Sequence, residues 1–356
     1  MTRILLVRLS SLGDVLFTLP ALARLREGMP GARIEWAVED RFAPLLEGHP
    51  LLDEVVVYPR SAWSRGVRRP WLLPSGLALL ARHFAALRSR RYDLVLDFQG
   101  NLKSALHVRA AGARRSVGFA AGHTREGGHF FVSGRVVPPP GAVHRVDKFL
   151  SLLSALSLPT ARPERRTPLP LDAERVRGAR EALPEGTGAL VLLHPATSAW
   201  GRDKQWPAER FAALAERLRR EAGTSVLVTW GPGERELAER VAREGSGTLA
   251  PPTGSLKDLA ALLSLADLFV GADTGVLHLA CALGRPAVGL YGPTDPAVYG
   301  PVGENALAVR REAPPARRER SRISPAMLAI EVEDVLGACQ RLLERARGKA
   351  TGKRSS

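Results

Sequence analysis

Ile4-Leu5-Leu6-Val7-Arg8-Leu9 is a near-continuous apolar run, followed directly by Ser10-Ser11-Leu12-Gly13-Asp14 and by leucines at 16, 19, 22 and 25. A run with no polar alternation suits a strand covered on both faces, and the later leucines recur at helical spacing. Strand, loop and helix in that order form the unit of a parallel sheet wrapped by helices. The unit recurs, with strands expected over 33–38, 54–58 and 94–98 and a helix over 78–89; the last strand opens into Gln99-Gly100-Asn101. Near Pro138-Pro139-Pro140 the pattern breaks. A helix is expected over 146–156, and 159–185 is rich in Pro, Arg and Glu without a core period. From 189 the pattern restarts, with strands over 189–193, 225–229, 268–270 and 287–291 and helices over 208–221, 234–243, 256–265 and 276–283. A long helix over 326–345 and a solvated basic tail close the chain.

A chain of 356 residues has room for two such domains, each with its own core. The expectation is an α/β protein with two Rossmann-like, doubly wound parallel-sheet domains facing a central cleft. Residues 1–165 form the first, 166–186 an interdomain linker, 187–346 the second and 347–356 a basic tail. Apolar residues at 45% and charged residues at 24% are ordinary for a soluble globular chain. Arg8 and Asp14 interrupt what would be the core of a signal peptide, and no run of 18 apolar residues offers a membrane span, so a cytoplasmic location is expected. Cys281 and Cys339, the only cysteines, lie in apolar helical surroundings and read as buried, unpaired thiols. Lys plus Arg outnumber Asp plus Glu by 51 to 36. A net charge of +15 attracts polyanions, anionic membranes or phosphorylated substrates, unless it only reflects an Arg-rich proteome.

In doubly wound sheets ligands sit beyond the carboxyl ends of the strands, so the loops there are where chemistry is expected. Ser10–Asp14 places small residues and Gly13 at a helix N-terminus, able to hold an anion. Asp14 reads either as a general base for an attacking hydroxyl or as a capping residue that complements the helix dipole. Asp273-Thr274-Gly275 opens the next such helix, with His278 one turn in. It suits a diphosphate, or it is a capping turn with a core histidine. It has no second copy, as an aspartic protease would require. Lys204, in the loop after His194, either meets negative charge or is a surface lysine. Trp230 to Glu234 brackets a base and ribose or forms a tight turn. From Arg60 to Arg91 eight arginines and no acidic residue accompany Trp63 and Trp71. They suit a phosphorylated, membrane-held acceptor, a nucleic-acid footprint or a solvated basic face, but no nucleic-acid module accompanies them. No P-loop, complete G-x-G-x-x-G, H-E-x-x-H or Cys/His zinc spacing occurs, so metal catalysis is not expected.

Arg8-Leu-Ser-Ser-Leu-Gly-Asp14, Asp97-Phe-Gln-Gly100, Lys204-Gln-Trp-Pro207, Asp273-Thr-Gly-Val-Leu-His278 and Tyr291-Gly-Pro-Thr-Asp-Pro296, in this order and spacing, resemble the bacterial heptosyltransferases of glycosyltransferase family nine. The resemblance runs in register from Met1 to about Gly303. It implies a GT-B architecture and inverting transfer of L-glycero-D-manno-heptose from ADP-heptose to the Kdo-lipid A inner core of lipopolysaccharide. ADP-heptose is then a co-substrate rather than a cofactor, and no metal or nucleic acid is implied. The first domain becomes the acceptor side and the second the donor side, working at the cytoplasmic face of the inner membrane as a peripheral protein. Carried over by position, Asp14 is the catalytic base, and Lys204, Glu234, Asp273, Thr274, Gly275 and His278 bind the donor. Ser11, Gly13, Arg60 and Arg125 are acceptor-side residues. Gly13 to Pro20 and Glu35 to Glu39 resemble type I of the family more than type II. Phe17, in place of the usual type I histidine, and a longer loop from His194 to Lys204 depart from that pattern. A type II enzyme, another nucleotide sugar or a protein acceptor are the alternatives within the family. A non-catalytic basic protein that binds a nucleotide or membrane is the alternative outside it.

Overall fold

The computed structural model describes residues 1–69, 72–161, 167, 169–184, 188–313 and 322–352. Two compact units divide the chain, Met1–Pro170 and Leu171–Ser356. In the first, strands β1 (Arg3–Val7), β2 (Arg33–Glu39), β3 (Glu54–Tyr58), β4 (Leu94–Asp97), β5 (Arg115–Phe119) and β6 (Gly134–Val136) form one parallel sheet in the order β3-β2-β1-β4-β5-β6. In the second, β7 (Leu190–His194), β8 (Ser225–Val228), β9 (Thr248–Leu249), β10 (Leu268–Ala272), β11 (Ala287–Leu290) and β12 (Ala306–Val309) repeat it as β12-β11-β10-β7-β8-β9. Both are doubly wound, as expected. In each unit the order reverses beside the first strand, so two adjacent strands send their loops to opposite sides and leave a crevice between them. Val7 of β1 lies opposite Asp97 of β4, and His194 of β7 lies opposite Gly271 of β10. The loops that follow these four strands carry Asp14, Gln99, Lys204 and Asp273.

The central strands explain the apolar runs: Ile4 to Val7 and Leu268 to Val270 are wholly buried. In the second unit Trp206 is fully buried, stacks edge-on against Phe211 at 5.0 Å and donates its indole N–H to the Ile330 carbonyl at 2.9 Å. The last helix, Val332–Gly352, lays Val335, Leu336, Cys339, Leu342 and Leu343 onto this core, a stripe at helical spacing. Each such aliphatic side chain contributes about 1.5–3 kcal/mol on burial. Cys281 and Cys339 are both free and buried, and burial pushes the Cys281 thiol up to about 12.

Several elements differ from the sequence expectation. The helix expected over 326–345 is two, Pro325–Leu328 and Val332–Gly352, and the second runs on into the segment taken for a tail. The segment 166–186 expected as a linker contains a helix, Ala173–Glu181, which is capped by Asp172, belongs to the second unit and pairs within it through Arg175 and Asp258. Residues 162–166, 168, 185–187 and 353–356, with Trp71 of the arginine-rich run, lie outside the described residues. That run folds into helices Arg60–Arg68 and Leu73–Ser89. It is not a uniform basic face, because Arg90 turns inward to Glu54 and to Glu35. Glu35 is fully buried in β2. Burial alone would raise its carboxyl, but hydrogen bonds from Tyr92, Arg33, Arg3 and Arg90 hold it down to about 2.

Candidate active site

β1 ends in a buried arginine. Arg8 donates to the Phe98 carbonyl at 2.7 Å, lies 5.1 Å from the centre of the Phe149 ring and forms an ion pair with Asp14. Asp14 stands in the first turn of the helix Leu12–Gly28. Its side chain does not cap that helix. Arg145 pairs with its Oδ1 at 3.4 Å, and the Ser11 hydroxyl donates at 3.2 Å to Oδ2, the oxygen that also meets Arg8. Burial pushes the Asp14 carboxyl up, but the charges of Arg8 and Arg145 outweigh that and hold it below the usual carboxylate range. The side chain still keeps 18% of its surface, so a hydroxyl can reach it.

The loop itself is held by β4's loop. Gln99 Oε1 accepts from the Leu9 and Ser10 amides at 2.8 and 3.2 Å, and Lys103 donates to the Ser10 hydroxyl at 3.3 Å. Asp97 accepts from the Gln99 and Gly100 amides and from Ser104, fixing that second loop in turn. Lys148 joins the cluster: burial and the charges of Arg145 and Arg8 lower its ammonium to about 8, with Arg125 adding to the effect. Arg8 and Arg145 thus flank one carboxylate with Lys148 beside them, the electrostatics of a site for an anionic ligand. Arg125 is exposed, and its charge acts on Lys148. Arg60 starts the helix after β3 and donates to Ser64 at 2.7 Å. Arg145 and Lys148 were missed because they lie on the short helix Arg145–Ser151, about 130 residues downstream, with no motif around them.

The second unit builds its cluster the same way. Asp273 follows β10 and is nearly buried; Lys204 donates to its Oδ2 at 2.8 Å and to its carbonyl at 3.2 Å, while His278 Nε2 lies 2.9 Å from Oδ1. Burial raises the Asp273 carboxyl, but His278 and Lys204 together hold it well below the usual range. Thr274 is the N-cap residue of the helix Gly275–Ala282, yet its hydroxyl does not cap it. Glu234 does not project from its loop: it accepts from the Gly231 amide at 2.7 Å, closing the tight turn, and lies 3.9 Å from His194. Trp230 donates to the Ala250 carbonyl at 3.0 Å.

Besides Thr224, which precedes β8, three hydroxyls among the described residues of this unit, those of Thr197, Thr274 and Thr294, are buried without a hydrogen-bond partner. They follow β7, β10 and β11, which are neighbours in the sheet. An unpartnered buried hydroxyl costs about 1–3 kcal/mol, so three at one sheet edge point to a polar ligand that satisfies them. Thr197 and Thr294 escaped the sequence reading, although the position of a threonine just past a buried strand was visible. Thr274→Val removes the unsatisfied oxygen. We expect its thermal midpoint to equal or exceed that of wild type while affinity for the polar ligand falls about five- to tenfold, the share of one hydrogen bond. Calorimetry and steady-state kinetics on the same sample read both.

With this geometry in view, known proteins can be set beside the chain. The profile of glycosyltransferase family 9 (heptosyltransferase) matches residues 80–327, more than half of its length. A lipopolysaccharide heptosyltransferase 1 of Pseudomonas aeruginosa is 35% identical over 314 residues, covering 88% of this chain and 84% of that one. Its counterpart in Escherichia coli K12 is 32% identical over 313 residues, covering 86% and 93%. Among solved structures, the E. coli heptosyltransferase WaaC with ADP superposes with a TM-score of 0.73 at 28% identity, covering 97% of this chain and 99% of that one. The two doubly wound units therefore make a GT-B glycosyltransferase. The chain belongs to glycosyltransferase family 9, and it is similar to the lipopolysaccharide heptosyltransferases 1 of these two organisms.

Proposed function

We propose that this enzyme transfers L-glycero-D-manno-heptose from ADP-heptose to the Kdo-lipid A inner core of lipopolysaccharide, with inversion at the anomeric carbon. The observation that carries the reading is the Asp14 carboxylate, ionised between Arg8 and Arg145 yet open to a hydroxyl. Asp14 takes the proton of an acceptor hydroxyl as that oxygen attacks the anomeric carbon opposite the leaving diphosphate, through an oxocarbenium-like state. A carboxylate this strongly paired is a weak base. An acceptor that brings carboxylates or phosphates to Arg145, Lys148 and Arg125 draws those cations away and returns basicity to Asp14 at the moment it is needed. Ser11 and Gly13 shape that loop, and Arg60 extends the acceptor side.

On the donor side, Lys204 turns from Asp273 toward the diphosphate, while the Thr274 hydroxyl and the amides of Thr274 and Gly275 meet its oxygens at the helix start. Asp273 and His278 hold this group in place. Glu234, released from Gly231, is available to the ribose. The charge that develops on ADP is thereby met by Lys204 and backbone dipoles, so the reading requires no metal and predicts turnover in chelator. No helix among the described residues is long and apolar enough to cross a membrane. The proposal places the enzyme at the cytoplasmic face of the inner membrane, held there peripherally.

Presenting ADP-heptose with Kdo-lipid A, with an already heptosylated core and with no acceptor tests the assignment. Heptosylated product from Kdo-lipid A supports it. Product only from the heptosylated core contradicts the type 1 reading and keeps the family. Inactivity with every acceptor favours a non-catalytic binding protein.

A further inference from the structure

Most of the chain's charge excess lies in its first unit, which holds 25 Lys and Arg against 13 Asp and Glu, while the second holds 26 against 23. In the first unit the helix Leu102–Ala111 packs against the turn Gly128–Phe131. This turn is clamped. A Cβ on Gly128 would stand 2.5 Å from the Gly100 carbonyl carbon, so only glycine allows the approach. The Arg125 amide donates to the Gly100 carbonyl at 2.8 Å, the Leu102 amide to the Glu126 carboxylate at 3.2 Å, and Arg135 to the His129 carbonyl at 2.7 Å.

What this rigid platform holds outward is apolar. Phe130 is 73% exposed, Leu106 60% and Leu102 50%. Leu102 and Leu106 are one helical turn apart, and Arg109 continues the same face. Arg109, Arg125 and Arg135 are themselves exposed. Large apolar side chains fixed outward inside a cationic rim match a surface that is apolar below and anionic above.

We propose that Leu102, Leu106 and Phe130 insert into the interfacial layer of an anionic phospholipid membrane, with Arg109, Arg125 and Arg135 on its headgroup phosphates. The inference rests on the proposed function in so far as a lipid-linked acceptor gives the enzyme reason to dock, and the charge of Arg125 in this rim also acts on Lys148. The docking site is then a built element of the fold, distinct from the arginine-rich segment after β3. Apolar insertion supplies the part of the affinity that salt does not screen, and the arginines supply the selectivity for anionic lipid.

The test is co-sedimentation of the full chain with vesicles of phosphatidylcholine alone or mixed with phosphatidylglycerol, for wild type and for the double variant Leu106→Ser, Phe130→Ser. Both side chains are exposed, so the variant keeps the wild-type thermal midpoint. We expect wild type to partition onto the anionic vesicles and the variant to partition at least about tenfold more weakly. Equal partition of the two proteins would overturn the inference, as would indifference of wild type to anionic lipid. So would a change in oligomeric state by light scattering with vesicle binding intact, which would make the patch a contact between copies of the chain. The vesicles contain no acceptor, so a protein that docks but transfers no sugar counts against the proposed function and leaves this inference standing.

Discussion

Asp14→Asn is expected to slow the proposed transfer by orders of magnitude while leaving donor binding unchanged. The asparagine matches the carboxylate in shape and can still accept from Ser11, but it cannot take a proton. General-base catalysis is worth about 10²–10⁴-fold, and kcat is expected to fall by that range with the donor KM within about twofold of wild type. The pH dependence follows from the same ion pairs. Arg8 and Arg145 hold the carboxyl below its usual value, so it is charged throughout neutral pH. Its contribution to folding is fully present above the ordinary carboxylate range and is lost as pH falls through the depressed value. The acid limb of kcat/KM, which reports the free enzyme, therefore lies below the ordinary carboxylate range. If an anionic acceptor draws Arg145 away, the acid limb of kcat lies at higher pH than that of kcat/KM. Coincident limbs would mean that the acceptor leaves these pairs intact.

Lys204→Ala is expected to lower kcat/KM for the nucleotide sugar by about 10²–10³-fold, the usual consequence of removing one charge-stabilising donor from a leaving group. Both constants move, because the ammonium meets the diphosphate in the ground state and meets more charge in the transition state. The variant also leaves Asp273 with only His278 as a partner in a nearly buried position. Direct titration with ADP separates the two effects. Weakened ADP binding together with a lower kcat supports the assigned role, whereas normal ADP binding and normal turnover would make Lys204 only a counter-ion for Asp273.

The positions of the motif residues in the fold were legible because local sequence speaks loudest at the ends of the central strands. An apolar run names β1, and a glycine-bearing loop before a leucine-spaced helix names the Asp14 turn. The same grammar located Lys204 and Asp273. What stayed hidden depends on pairing between distant segments. β6, β9 and β12 are edge strands, and Arg115-Ser116 at the start of β5 gives no hint of a strand. The helix Leu102–Ala111 carried a signal that went unread, the Asn101 and Ser104 capping box. Arg90 looked like part of a basic face until the sheet placed Glu35 and Glu54 beside it. Arg145 and Lys148 reach Asp14 only because their helix packs on the helix Leu12–Gly28. The unpartnered threonines are invisible to composition, since burial without a partner is a property of the folded loops alone.

The account stands most directly on acceptor-dependent release of ADP. Wild-type enzyme with ADP-heptose and Kdo-lipid A, in chelator, is predicted to release one ADP for each heptosylated acceptor formed, and Asp14→Asn to release it at least about 10²-fold more slowly. Release that is equally fast without acceptor, or that persists at the wild-type rate in the variant, would contradict the assignment of Asp14 as the base and the transfer reaction built on it.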